Sequence, residues 1–147
     1  MKKIFSHSIE PINLSLGLLL LRIIIGFLMA FYGYEKLLHF NEMAASDFWA
    51  KNISFLGMTG KFPLALTVFA ELFCSIFLIL GLYTRLSLIP LLFCMGYIIV
   101  SVVKFSVIDS GDNGIEINTA FTYFIIYAVH FLTGPGKFSI DNKIFKK

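Results

Sequence analysis

Charge is what this 147-residue chain has least of. Only 14 % of its residues are Asp, Glu, Lys or Arg, against about 25 % in soluble domains. Hydrophobic residues make up 58 %, a balance that excludes a disordered chain, a collagen-like repeat and a nucleic-acid module. Cysteine is nearly absent: Cys74 and Cys94 form no CxxC pair and cannot build a disulfide framework. Histidine is scarce too, at three residues. A transmembrane haem needs two facing ligands at one depth, and of His7, His39 and His130 only the last falls within an apolar run, which excludes that site. No Cys/His spacing suggests zinc or an iron–sulfur cluster, so no metal site is expected. A phosphate-cradling loop is missing too, since Gly134-Pro135-Gly136 follows an apolar helical run and not a strand. No internal repeat or low-complexity tract is visible, and the length allows one domain.

What the chain has instead is four long apolar runs, at residues 14–34, 62–82, 86–103 and 117–133. As helices they reach about 25–31 Å, close to the thickness of a hydrocarbon core. Together they hold two charges, Arg22 and Glu71, and the rest of the chain holds 19. A bilayer is the simplest cause of that segregation, because a central Lys, Arg or Asp costs roughly 2.5–3.5 kcal/mol to insert. The runs do not alternate with period two, so helices must satisfy the backbone in lipid. The first run carries Arg22 midway and lacks a convincing cleavage site, which reads as a retained anchor. The fold class expected is all-α, an integral membrane four-helix bundle.

Orientation follows from the basic residues. Lys2, Lys3, Arg85, Lys137, Lys143, Lys146 and Lys147 lie on one side, and Lys36, Lys51, Lys61 and Lys104 on the other. The positive-inside rule then puts both termini in the cytoplasm. The connection after the first span contains Asp47-Phe48-Trp49-Ala50-Lys51, expected as a short interfacial helix with Trp49 at headgroup depth. The connection 109–116, with Gly111 and Gly114, reads as a solvated loop.

Arg22 and Glu71 break the compositional rule. Placed near the middles of antiparallel spans, their Cα depths are expected to differ by only ~5 Å, and intramembrane ionisable groups usually face a bundle interior and pair. Two readings follow. The pair either fixes helix register alone, or lines a polar pocket for a ligand head group or proton carrier. Lys36 and Glu116, at the ends of spans one and four, bring a further ammonium and carboxylate that either complete such a pocket or anchor at the interface. Gly26, Ala30 and Gly33 form a small-residue face suited to close helix approach. Cys74 and Cys94 read as inert fillers.

The pattern resembles the DoxX/DoxD-like family of small bacterial membrane proteins. Its pieces are Leu21-Arg22 with Gly26, Tyr32-Gly33-Tyr34-Glu35-Lys36-Leu37, Ala70-Glu71-Leu72, Gly81-Leu82-Tyr83-Thr84-Arg85, Glu116, and the tail Gly134-Pro135-Gly136-Lys137-Phe138-Ser139-Ile140-Asp141. The resemblance implies a four-helix membrane fold and a subunit of a membrane oxidoreductase. The family takes its name from a subunit of an archaeal thiosulfate:quinone oxidoreductase. Arg22, Lys36, Glu71 and Glu116 carry the family's polar set. The resulting expectation is a quinone-like or other lipophilic ligand near Arg22 and Glu71, with the bilayer and another redox subunit, or a second copy, as partners. No intrinsic cofactor and no catalytic residue is legible. The alternative is a non-catalytic assembly or scaffolding protein in which the charges only set packing.

Overall fold

A computed structural model describes residues 13–111 and 114–145, without the side chains of residues 52, 109–116 and 145. Asn13 opens the first helix: its side-chain oxygen accepts the Leu16 N–H at 3.1 Å, satisfying one of the unpaired donors of a first turn. From there α1 (Leu14–Leu38) runs beyond its apolar stretch, since nothing in Glu35-Lys36-Leu37-Leu38 breaks a helix. A short helix α2 (Phe40–Ala45), a π-helical turn (Phe48–Asn52) and a hairpin of β1 (Ser54–Phe55) and β2 (Met58–Thr59) follow. The next long helix, Lys61–Leu80, changes character midway. It is α-helical as α3 (Lys61–Val68), π-helical over Phe69–Cys74, and α-helical again as α4 (Ser75–Leu80). A tight turn leads to α5 (Thr84–Ser101), then β3 (Ile108–Gly111), β4 (Gly114–Ile117), α6 (Thr119–Thr133) and α7 (Ile140–Phe145).

Three of these helices, Leu14–Leu38, Lys61–Leu80 and Thr84–Ser101, are long and apolar enough to cross a membrane. The fourth apolar run yields a shorter helix. Ile117 pairs with Ile108 in a hairpin and Asn118 caps the helix through Ala120 N–H. The 15 residues of α6 therefore reach only about 22 Å. Residues 109–116, expected as a loop, are thus mostly antiparallel hairpin backbone, where β-branched isoleucines at 108, 115 and 117 suit extended pairing. The helical expectation holds with these two small hairpins added.

Helix α5 packs between α4 and α6, while α1 lies along the π segment and α4. Leu78, Leu88, Leu91 and Tyr127 fill the centre without exposure. The outward face of α1 is as apolar as its inner one, with Ile24, Phe27 and Phe31 all exposed. So continuous an apolar surface calls for lipid or another protein against it.

Register is set by two glycines. A Cβ on Gly26 would sit 2.6 Å from Ile79, and one on Gly33 would sit 2.6 Å from the Leu72 nitrogen and 2.8 Å from the Glu71 carbonyl carbon. The small-residue face expected from sequence is therefore where α1 meets the second long helix, backbone against side chain and backbone. This contact puts Gly33, not Arg22, level with Glu71. Arg22 lies eleven residues back along α1, about 16 Å away at helical rise. The expected Arg22–Glu71 depth match fails because backbone approach at the glycines, and not the centres of the apolar runs, fixes how the helices slide.

Candidate functional site

Glu71 sits in the middle of the π segment and is buried. A π turn inserts an extra residue into the helix and re-aims the side chains around it, often at functional sites. Here the carboxylate turns towards α1 and forms an ion pair with the Lys36 ammonium, which also lies 5.8 Å from the Tyr32 ring centroid. Lys36 is one turn beyond Gly33, so the close approach that needs glycine also delivers the lysine. The side chain of Lys36 is 19 % exposed and that of Glu71 3 %, so the pair is screened little.

Arg22 forms no such pair among the described residues. It is fully buried at the opposite end of the bundle, where Nη2 donates to the Phe138 carbonyl at 2.7 Å. Gly81, at φ 68°, leaves room for the guanidinium, which a methyl group there would overlap. Asp141 closes this end: its two carboxylate oxygens accept the N–H groups of Tyr83 and Thr84 at 2.6 and 2.8 Å, and its own N–H donates to the Gly81 carbonyl at 2.9 Å. The start of α5, which lacks a cap from its own side chains, is thereby capped by a carboxylate from the tail. Arg22 is a tail-holding residue in this geometry. Arg22→Leu should loosen the Phe138–Asp141 segment, seen as at least about tenfold faster amide exchange there, without disturbing Lys36 and Glu71.

Between α3, the π segment, α5 and the connection after α1 lies a cavity of about 540 Å³. Two stripes at helical spacing face each other across it: Pro63, Leu66, Thr67 and Ala70 on one helix, Pro90, Phe93, Cys94 and Tyr97 on the other. Both walls are irregular helices, one π-helical and one interrupted by a proline that supplies no N–H. Lys36 and Glu71 border one part of this otherwise apolar space. The β1 strand covers another, with Phe55 edge-on to the Phe93 and Tyr97 rings at 5.7 and 6.1 Å and the Tyr97 hydroxyl donating to the Ser54 carbonyl. Leu66, Phe69 and Phe93 line the cavity and are also exposed on the outer surface, so it opens sideways, towards where lipid would lie.

Trp49 is buried within the protein. Its segment is helical, and the residue is 7 % exposed and packs with Ala44, Ile53, Leu64 and Val68 in a small second core that borders the cavity. An indole has more apolar area to bury than an interfacial position removes from water. Of the four expected ligand residues, the structure joins Lys36 and Glu71 and sends Arg22 elsewhere. The Glu116 side chain lies outside the described residues. The aromatic walls were missed, although the i, i+3, i+4, i+7 stripe from Pro90 to Tyr97 was a readable signal. Cys74 and Cys94 are free, Cys94 on the cavity wall and Cys74 in the core.

The DoxX family model matches residues 17–104, well over half of the chain, and the protein belongs to that family. The match contains Arg22, Lys36 and Glu71 and ends before Glu116 and the tail. Neither a curated protein nor a solved structure matches the chain.

Proposed function

We propose that this DoxX-family protein holds a quinone-like lipophilic molecule in the cavity beside Lys36 and Glu71, as a subunit of a membrane oxidoreductase. The observation that carries the reading is one buried ion pair at the edge of a space that is otherwise aromatic and aliphatic. An apolar pocket with few convergent polar groups is the usual form of a small-molecule site. Phe93, Tyr97 and Trp49 offer flat surfaces to a planar ring. The Lys36 ammonium can donate to a ring carbonyl while Glu71 holds it in place. The lateral opening suits a ligand dissolved in the bilayer. With α6 as the fourth span, the start of α1 and the Gly136–Asp141 tail share one face, and the positive-inside rule applied to the sequence supports assigning that face to the cytoplasm of a bacterium.

The reading is tested by purifying the protein in mild detergent and extracting bound lipophiles for mass spectrometry. A stoichiometric isoprenoid quinone or similar planar lipophile is expected, and its loss in the cavity-filling variants Thr67→Phe and Ile98→Phe. Recovery of bulk phospholipid alone, equal in wild type and both variants, would overturn it. Scaffolding by charge describes Arg22 better than Glu71, because Arg22 binds the tail backbone and does not line this cavity.

A further inference from the structure

Buried side-chain polar atoms short of protein hydrogen-bond partners among the described residues cluster on Arg22, Thr84 and His130, and beside them the Ser75 and Tyr127 hydroxyls face each other within hydrogen-bonding reach. All five residues are fully buried. Their positions follow a line. Ser75 lies four residues beyond Glu71 towards the tail end of the bundle. Tyr127 sits beside Ser75 and within electrostatic range of Glu71. One turn further along α6, His130 lies within electrostatic range of Arg22, which touches Gly81. Thr84, three residues beyond Gly81, borders an open surface pocket that also holds Arg85, Asp141 and Asn142.

We propose that this line is hydrated and carries protons from the open pocket at Thr84 to Glu71. Unpaired buried polar groups are costly, and native proteins satisfy them with ordered water. From the level of Gly81 to Glu71 is ten residues of helix, about 15 Å. One bridging water spans about 5–6 Å between two polar groups, so a few waters and the hydroxyls of Tyr127 and Ser75 bridge the distance. An arginine with unbalanced charge would repel protons. Asp141 lies within electrostatic range of Arg22 and counters it.

The proposal rests on the lipophile reading for its purpose. Reduction of a quinone to its quinol takes two electrons and two protons. Electrons come from the redox partner subunit, and each proton moves from bulk water along the line to the Glu71 carboxylate and on to a quinone oxygen. Only O–H and N–H bonds change along the way.

Water-edited solid-state NMR of the full chain in liposomes tests the hydration. Tyr127 and His130 side chains should gain magnetisation from water within about twofold of the rate at exposed Tyr83, as contact with bound water requires. Build-up as slow as that of buried Leu88 and Leu91 would overturn the proposal. The second arm loads detergent-solubilised protein with decylbenzoquinone, reduces it with dithionite and follows quinol absorbance. Tyr127→Phe should slow bound quinol formation at least about fivefold, roughly 1 kcal/mol of barrier. Its quenching of Trp49, the chain's single tryptophan, should be unchanged. Equal rates in the two proteins would overturn the path, whereas loss of quenching in wild type would instead overturn the lipophile site.

Discussion

Lys36→Leu should destabilise the protein by about 3–5 kcal/mol, because it leaves the buried Glu71 carboxylate without its partner. Unfolding of the detergent-solubilised protein, followed by tyrosine and tryptophan emission, measures the loss. Glu71→Leu should cost a similar amount, although Lys36, being partly exposed, recovers some hydration. The double variant Lys36→Leu/Glu71→Leu should regain most of the stability and bind the ligand more weakly. A double replacement of Arg22 and Glu71 should show no such rescue, since the two residues stand about 16 Å apart along the helices. Additive losses in that second cycle, beside strong coupling in the first, establish which cation belongs to Glu71.

The second large effect concerns a residue with no side chain. Gly33→Ala places a methyl against the Leu72 nitrogen and the Glu71 carbonyl carbon, and backbone atoms cannot rotate away. The helices must separate, at a cost of at least about 2 kcal/mol. Because Lys36 rides on the same helix, its reach to Glu71 lengthens. Ligand affinity should fall at least about tenfold, equivalent to 1.4 kcal/mol. Gly17 is the control: nothing lies within 4 Å of a Cβ there. Gly17→Ala should leave binding unchanged and alter stability by no more than about 1 kcal/mol, in the favourable direction.

Much of this architecture was legible before any coordinates. Segregated charge marked the apolar helices, and the spacing of Gly26 and Gly33 marked where α1 meets its neighbour. The motifs that looked like isolated family pieces also join in space. Tyr32–Leu37 meets Ala70–Leu72 at the Lys36–Glu71 pair, while Leu21-Arg22, Gly81–Arg85 and the Gly134–Asp141 tail meet around the guanidinium. What was not legible was which motif faced which. Matching the centres of apolar runs assumes helices slide freely to align them, whereas Gly33 and the π turn set the register by contact. A π turn leaves no compositional trace, so the aim of Glu71 was hidden. The partners of Trp49 were not legible because amphipathic composition does not say whether lipid or a second core receives the apolar face.

Titration of the wild-type protein in nanodiscs with decylbenzoquinone, followed by Trp49 emission, reaches the heart of the matter in one measurement. Saturable quenching is expected, shifted to higher quinone concentration in Lys36→Leu/Glu71→Leu and abolished in Thr67→Phe/Ile98→Phe. Quenching that rises linearly with quinone in the bilayer, and identically in all three proteins, would mean that the cavity receives no such molecule.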